Sequence, residues 1–177
     1  HSILLFGLAG SKVDHPNVKI IETGSAQTLL GQGKGENAGR TVDYGVSYPL
    51  RLRILQLAQT LDELVKHQSE YDVILNNLPD ESPVVVTAGF LKKPLAHILH
   101  LPIFPELAEF FKKHKVNLIS ISHAQQLQFP DLNYAGNVYN AVDTKEFAFS
   151  PAAQDYVLYL GSIGRNKNPK DAILAAK

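Results

Sequence analysis

Arg165 and Lys167 belong to a short polar stretch, Gly161-Ser162-Ile163-Gly164-Arg165-Asn166-Lys167-Asn168, in which two glycines free the backbone to turn and two cations follow. Amide donors in such a turn, backed by fixed positive charge and by a helix start at Pro169, suit an anion such as a phosphate. An ordinary strand-to-helix crossover also carries glycines and a cation, so the stretch alone leaves both readings open. His100 is the second residue with chemistry to offer. It closes the apolar run Pro94-Leu-Ala-His-Ile-Leu99, and ligands of open α/β sheets gather where strands end. An imidazole there can hydrogen-bond a hydroxyl or a phosphate oxygen. His97 and His123 read as structural or merely exposed. Although there are 7 His, no pair has HxxxH or HExxH spacing, so no metal site is expected. The absence of Cys excludes a disulfide framework, thiolate catalysis and a Cys-based zinc site.

The elements that must position these residues alternate along the chain. His1 to Leu8 reads as a buried strand and Val18 to Ile21 as a second short strand. Gln32 to Arg40 is glycine-rich and polar, but no apolar strand feeds it, so it is expected to be a flexible surface loop rather than a phosphate loop. From Tyr48 to His67 the spacing is helical, with Leu50, Ile54, Leu57, Leu61, Leu64 and Val65 on one face. Tyr71 to Leu75 is a strand. Asp80 to Lys93 mixes a β-branched run with a Ser-Pro helix start and is assigned as helix, because parallel strands need a crossover. Then follow a strand over 94–99, a helix over 105–115, a strand over 116–121, and a short helix capped by Ser122 and ending near Gln128. Asn137 to Ala141 reads as a strand, and Asp143 to Phe147 as a turn with Phe147 packing inward. Ser150 to Asp155 lacks core residues and marks a boundary between domains at 1–150 and 151–177. Tyr156 to Leu160 is the next strand; Asn168 is the N-cap, Pro169 the first helical residue and Asp171 part of the first turn. Strands alternating with helices imply an α/β fold, a parallel sheet with helices on both faces.

Bulk properties narrow the function. The chain has 177 residues, 45% hydrophobic and 19% charged, with Lys+Arg and Asp+Glu both 17. Such balance gives no field for nucleic acid. Beyond Gly161, however, Arg165, Lys167, Lys170 and Lys177 face Asp171 alone. No apolar run is long enough to span a bilayer and no leader is evident, so a cytoplasmic location is the default expectation. A chain that starts at His1 and has no Met reads as a piece of a longer one.

Taken in order, Pro94-Leu-Ala-His-Ile-Leu-His100, Ile119-Ser-Ile-Ser-His-Ala-Gln-Gln126, Asn137-Val-Tyr-Asn-Ala-Val-Asp-Thr-Lys-Glu-Phe147 and Tyr156 to Lys177 resemble the retaining family-4 glycosyltransferases of the GT-B fold. The resemblance extends from about Tyr71 to Lys177, and more loosely back to His1. It implies most of an N-terminal, acceptor-side Rossmann-like domain, followed by the first strand and helix of a nucleotide-sugar-binding domain. It also implies that a strand and a glycine-rich loop precede His1, and that an acidic Glu-x7-Glu element follows Lys177, so that the chain as it stands should not complete the reaction. By the resemblance His100 lies beside the donor sugar, and Gly161, Ser162, Arg165 and Lys167 hold the donor diphosphate. Lys167 aligns with the family's lysine, whereas Ser162 stands where the family has Arg, which leaves Arg165 as its substitute. Asn140 and Asp143 match the interdomain linker, with Ala141 in place of Gly. No metal or cofactor is implied. The expected partners are a nucleotide-sugar donor and a sugar, lipid-linked or small-molecule acceptor, with peripheral membrane contact left open. A nucleotide-sugar epimerase of the same fold and a non-catalytic domain binding a sugar or phosphorylated metabolite are the alternatives.

Overall fold

The computed structural model describes residues 1–24, 34–37, 40–43, 45, 47–79, 81–152, 154–165 and 167–176, of which 34–37, 40–43 and 81 are described by backbone alone. The chain divides into two units, His1–Asn140 and Ala141–Lys177. Composition placed the boundary at Ser150; by contacts, residues 141–150 go with the second unit.

The first unit is an α/β fold of Rossmann-like kind. β1 (Ile3–Gly7) pairs in parallel with β2 (Val18–Glu22). β5 (Ile74–Asn76), β6 (Leu95–Leu99), β7 (Asn117–Ser120) and β8 (Tyr134–Asn137) form a four-stranded sheet in that order, with every pairing parallel. Parallel neighbours need a crossover, and helices supply it: α2 (Glu81–Leu91) between β5 and β6, α3 (Pro105–His114) between β6 and β7, and α4 (His123–Gln128) between β7 and β8. α1 (Tyr48–Lys66) precedes β5.

Burial alternates along the central strands with the period of two that a sheet imposes. Leu95, His97 and Leu99 are buried on β6, and Leu118 and Ser120 on β7. That face packs into a core with Val84, Val85 and Ala88 from α2 and Leu107, Ala108 and Phe111 from α3. The β-branched run over 84–86 is therefore helical, as the crossover requirement demands, because its buried positions fill the space over the sheet. α3 begins at Pro105, carries Glu106 in its first turn and Lys112, Lys113 and His114 in its last, and stops where Lys115 turns left-handed at φ 50°. Each choice agrees with the helix dipole and with end-cap geometry.

Several expectations are corrected. The apolar stripe of α1 is buried only toward its C-terminus: Leu64 is buried and Leu57 and Leu61 pack on the core, whereas Leu50, Ile54 and Val65 are exposed. Gln56 is buried instead, donating from Nε2 to the Thr23 carbonyl at 2.5 Å and lying 3.1 Å from the Thr23 hydroxyl. The glycine-rich segment expected as a surface loop contributes to an antiparallel pair, β3 (Lys34–Asn37) with β4 (Arg40–Asp43); Gln32, Gly33, Ala38 and Gly39 lie outside the described residues. Its ladder satisfies the backbone without the apolar alternation that would have signalled strands. The strand expected over 137–141 sits earlier, at β8, because Leu118 and Ser120 take their partners from Tyr134 and Asn137.

In the second unit α5 (Pro169–Ala175) forms as expected. Tyr156 to Leu160 is not a strand: no pairing partner exists for it among the described residues, and Val157, Leu158 and Leu160 are largely exposed. A strand needs a neighbour to bond its backbone, and the described residues of this unit supply none. Phe147, expected to pack inward, is also exposed.

Candidate functional site

The carboxyl ends of the four central strands share one chemical character. The residues that follow them are Asn77-Leu-Pro79, His100-Leu-Pro102, Ile121-Ser-His123 and Val138-Tyr-Asn140. None is Lys, Arg, Asp or Glu. This edge offers amides, hydroxyls and imidazoles, groups that pair with neutral hydroxyls.

His100 stands on it as the sequence placed it, exposed and just beyond β6. Its Nε2 lies 2.5 Å from Asn77 Oδ1. Asn77 is held there by its neighbour: Asn76 is buried at the end of β5, and its side-chain oxygen accepts from the Leu78 amide at 3.1 Å. That local bond shapes the chain after the strand and presents Asn77 to the imidazole. Sequence reasoning did not single out Asn77 as a site residue. The signal available was two consecutive polar residues ending an apolar strand.

The ends of β6 and β7 are tied by Gln125 of α4. Its Nε2 donates to the Leu99 carbonyl at 3.0 Å, and its Oε1 accepts from the Ile121 amide at 2.8 Å. The Ser122 hydroxyl accepts from the Gln125 amide at 3.4 Å, which is the N-cap expected from the sequence. Beneath lies fully buried Ser120, whose hydroxyl is 2.9 Å from Asn137 Oδ1 and accepts from Gln126 Nε2 at 2.9 Å. His123 meets the Tyr139 ring edge-on with centroids 6.1 Å apart.

His97 is not part of this edge. It is 1% exposed, and burial pushes its pKa down to about 4, opposed by a hydrogen bond with the Asn76 backbone and assisted by nearby His100. It is neutral at pH 7 and structural, as the sequence reading had it.

A cavity of about 330 Å³ lies beyond the carboxyl end of β1, lined by Phe6, Leu8, Thr23, Gln56 and Leu78 among others. Leu78 and Pro79 border it, so it adjoins the loop that carries Asn77. Gly24 approaches Gln56 so closely that a Cβ would collide with its Oε1, and its φ of 128° suits glycine alone.

The second unit carries Gly161, Ser162, Arg165 and Lys167, all exposed. Tyr159 organises their turn. Its hydroxyl lies 3.1 Å from the Ser162 carbonyl and 3.3 Å from that of Lys167, and a Cβ at residue 161 would sit 3.1 Å from it. The Lys167 and Asn168 amides donate to the Gly164 carbonyl at 3.1 and 3.0 Å. Asn168 occupies the N-cap position of α5 but does not cap with its side chain. It adopts φ 46°, and its amide nitrogen donates to the Asp171 carboxylate. Asp143 makes a local cap, accepting from the Lys145 amide at 2.9 Å at the start of a 3-10 turn over Thr144–Glu146. Asn140 is the last residue of the first unit.

Among the described residues no three of His, Asp and Glu come together in a way that could hold a metal ion, and no helix is long and apolar enough to cross a membrane. No model of a known protein family matches the chain, and no curated protein matches it significantly.

Proposed function

We propose that this chain serves a retaining glycosyltransferase of the family-4 type, which moves a sugar from a nucleotide-sugar donor to an acceptor hydroxyl. The observation that carries the reading is a division of chemistry between the two units. In the first unit the three residues after each of β5 to β8 carry no charged side chain, and His100 lies there beside Asn77, a setting suited to sugar hydroxyls. The exposed cations Arg165 and Lys167 stand on the Tyr159-braced turn of the second, a setting suited to a diphosphate.

Negative charge grows on the nucleoside diphosphate as the glycosidic bond breaks, so fixed cations stabilise the transition state more than the ground state. Lys167 and Arg165 supply that charge. Ser162, between them and Tyr159 in sequence, contributes a hydroxyl and a carbonyl already held by the phenol. His100 hydrogen-bonds the sugar being transferred. No metal is needed for this division of roles.

Calorimetric titration of the chain with uridine, guanosine and adenosine diphosphates tests the reading. One nucleotide should bind with an affinity that Lys167→Ala lowers and His100→Ala leaves nearly unchanged. The corresponding nucleotide sugar should in addition perturb the NMR resonances of His100. Absence of binding by every nucleotide would overturn the proposal.

A further inference from the structure

We propose that Asn77 is a positioning residue for His100, fixing the neutral ring as its Nε2–H tautomer and leaving Nδ1 as the acceptor for a ligand hydroxyl. The geometry is direct, since the Asn77 side-chain oxygen lies 2.5 Å from His100 Nε2. A carboxamide oxygen accepts only, so the ring nitrogen it meets must carry the proton, and in a neutral imidazole the other nitrogen is then bare. Asn77 is presented by the bond from the Leu78 amide to Asn76 Oδ1, so its place depends on the buried end of β5 rather than on the imidazole. His100 is exposed, and its ring has no other hydrogen-bond partner among the described residues, which leaves Nδ1 open to a ligand. The three residues that follow each of β5 to β8 include no Asp, Glu, Lys or Arg. A bare Nδ1 accepts from a hydroxyl and cannot donate to a phosphate oxygen. That nitrogen is thereby suited to a hydroxyl donor.

The assignment of a hydroxyl-bearing ligand rests on the glycosyltransferase reading, but the tautomer does not. It is measured on the 177-residue chain labelled with 15N-histidine, by long-range proton–nitrogen correlation at pH 7.5, without any nucleotide. The expected result for His100 is a protonated-type Nε2 and a bare, pyridine-type Nδ1. Asn77→Ala should move both resonances toward those of an unconstrained ring, and Asn77→Asp, which keeps an acceptor oxygen in place but adds a negative charge, should hold the proton on Nε2 and shift only Nδ1, toward its protonated form. Because Asn77 is exposed, both variants should fold, and unchanged backbone amide spectra check this. An Nδ1–H ring in the unsubstituted chain, or resonances indifferent to Asn77→Ala, would overturn the positioning role. Titration with a panel of methyl hexosides should then shift Nδ1 more than Nε2. A shift produced by inorganic pyrophosphate alone, or by neither probe, would overturn the hydroxyl assignment. Failure of the chain to bind any nucleoside diphosphate would count against the glycosyltransferase reading while leaving the tautomer result intact.

Discussion

The rings of His97 and Phe111 lie 5.6 Å apart between centroids and are inclined by 43°, and each side chain is 1% exposed. An imidazole packed on a phenyl ring in the centre of the core resists protonation, because burial penalises its charged form. Its pKa in the fold is about 4, against roughly 6.5 in an unfolded chain. Between those values the unfolded chain binds a proton that the native chain refuses. The contribution of the neutral ring is therefore complete above about pH 6.5 and is lost as pH falls toward 4, with a total of about 3 kcal/mol. Urea unfolding at pH 7.5 and 4.5 should show the unsubstituted chain losing about 2–3 kcal/mol more than His97→Leu over that interval. Equal losses would mean that the ring takes up its proton without leaving the core.

Ser120 is the polar counterpart of that pair. Its hydroxyl joins Asn137 Oδ1 to Gln126 Nε2 beneath the strand ends, so Ser120→Ala leaves two polar atoms short of a partner. The expected cost is about 1–3 kcal/mol of stability, read as a lower midpoint in chemical denaturation with an unchanged slope. A neutral outcome would show that water replaces the hydroxyl.

For the cationic turn, Lys167→Ala should weaken nucleoside diphosphate binding by about tenfold to a hundredfold, the worth of one charge-assisted contact. Arg165→Ala should match it only if Arg165 has taken the role that Ser162 cannot fill, and Ser162→Arg in that background should then recover part of the loss. Tyr159→Phe removes the hydroxyl that spans Ser162 and Lys167 and should reduce affinity by a smaller factor. Calorimetry ranks the four proteins, and identical affinities would reduce the turn to a plain connection into α5.

No described residue of the second unit is buried, so it contributes little to the cooperative unfolding of this chain. Ending the chain after Asn140 should leave the Tm of the remaining unit within a degree or two. A large drop would reveal stabilising contacts from residues 141–177.

Where the sequence was legible, several signals agreed. Ser122 before a short helix, Pro105 opening an amphipathic one, and the apolar run into His100 each pair a local preference with a packing need, and each took the expected form. Val84, Val85 and Val86 show a β preference yielding to topology, since the helix buries the first two over the sheet. Tyr156 to Leu160 shows the converse. Its composition is that of a buried strand, but a strand is defined by its neighbours and none is present among the described residues. The β3–β4 pair escaped notice because polar, glycine-rich residues carry no period. At the candidate site, the position of His100 could be read from one strand, whereas its meeting with Asn77 joins residues from two strands and could not.

The separation of the strands into distinct sheets leaves a kinetic signature. The Ile3 amide donates to Asn17 and the Gly7 carbonyl accepts from Thr23, so alternate residues of β1 turn toward β2 and the amides of Leu4 and Phe6 turn away from it. On β5 the Ile74 amide donates to Pro94, which turns Leu75 away from β6. With neither sheet extended past these strands among the described residues, the three outward amides have no ladder partner to shield them. Deuterium from the solvent should replace their hydrogens early, while the amides shared by β6 and β7 hold theirs until the whole unit opens. The slow and fast hydrogens would thus interleave residue by residue along β1, a comb-like pattern that a single continuous sheet would not produce.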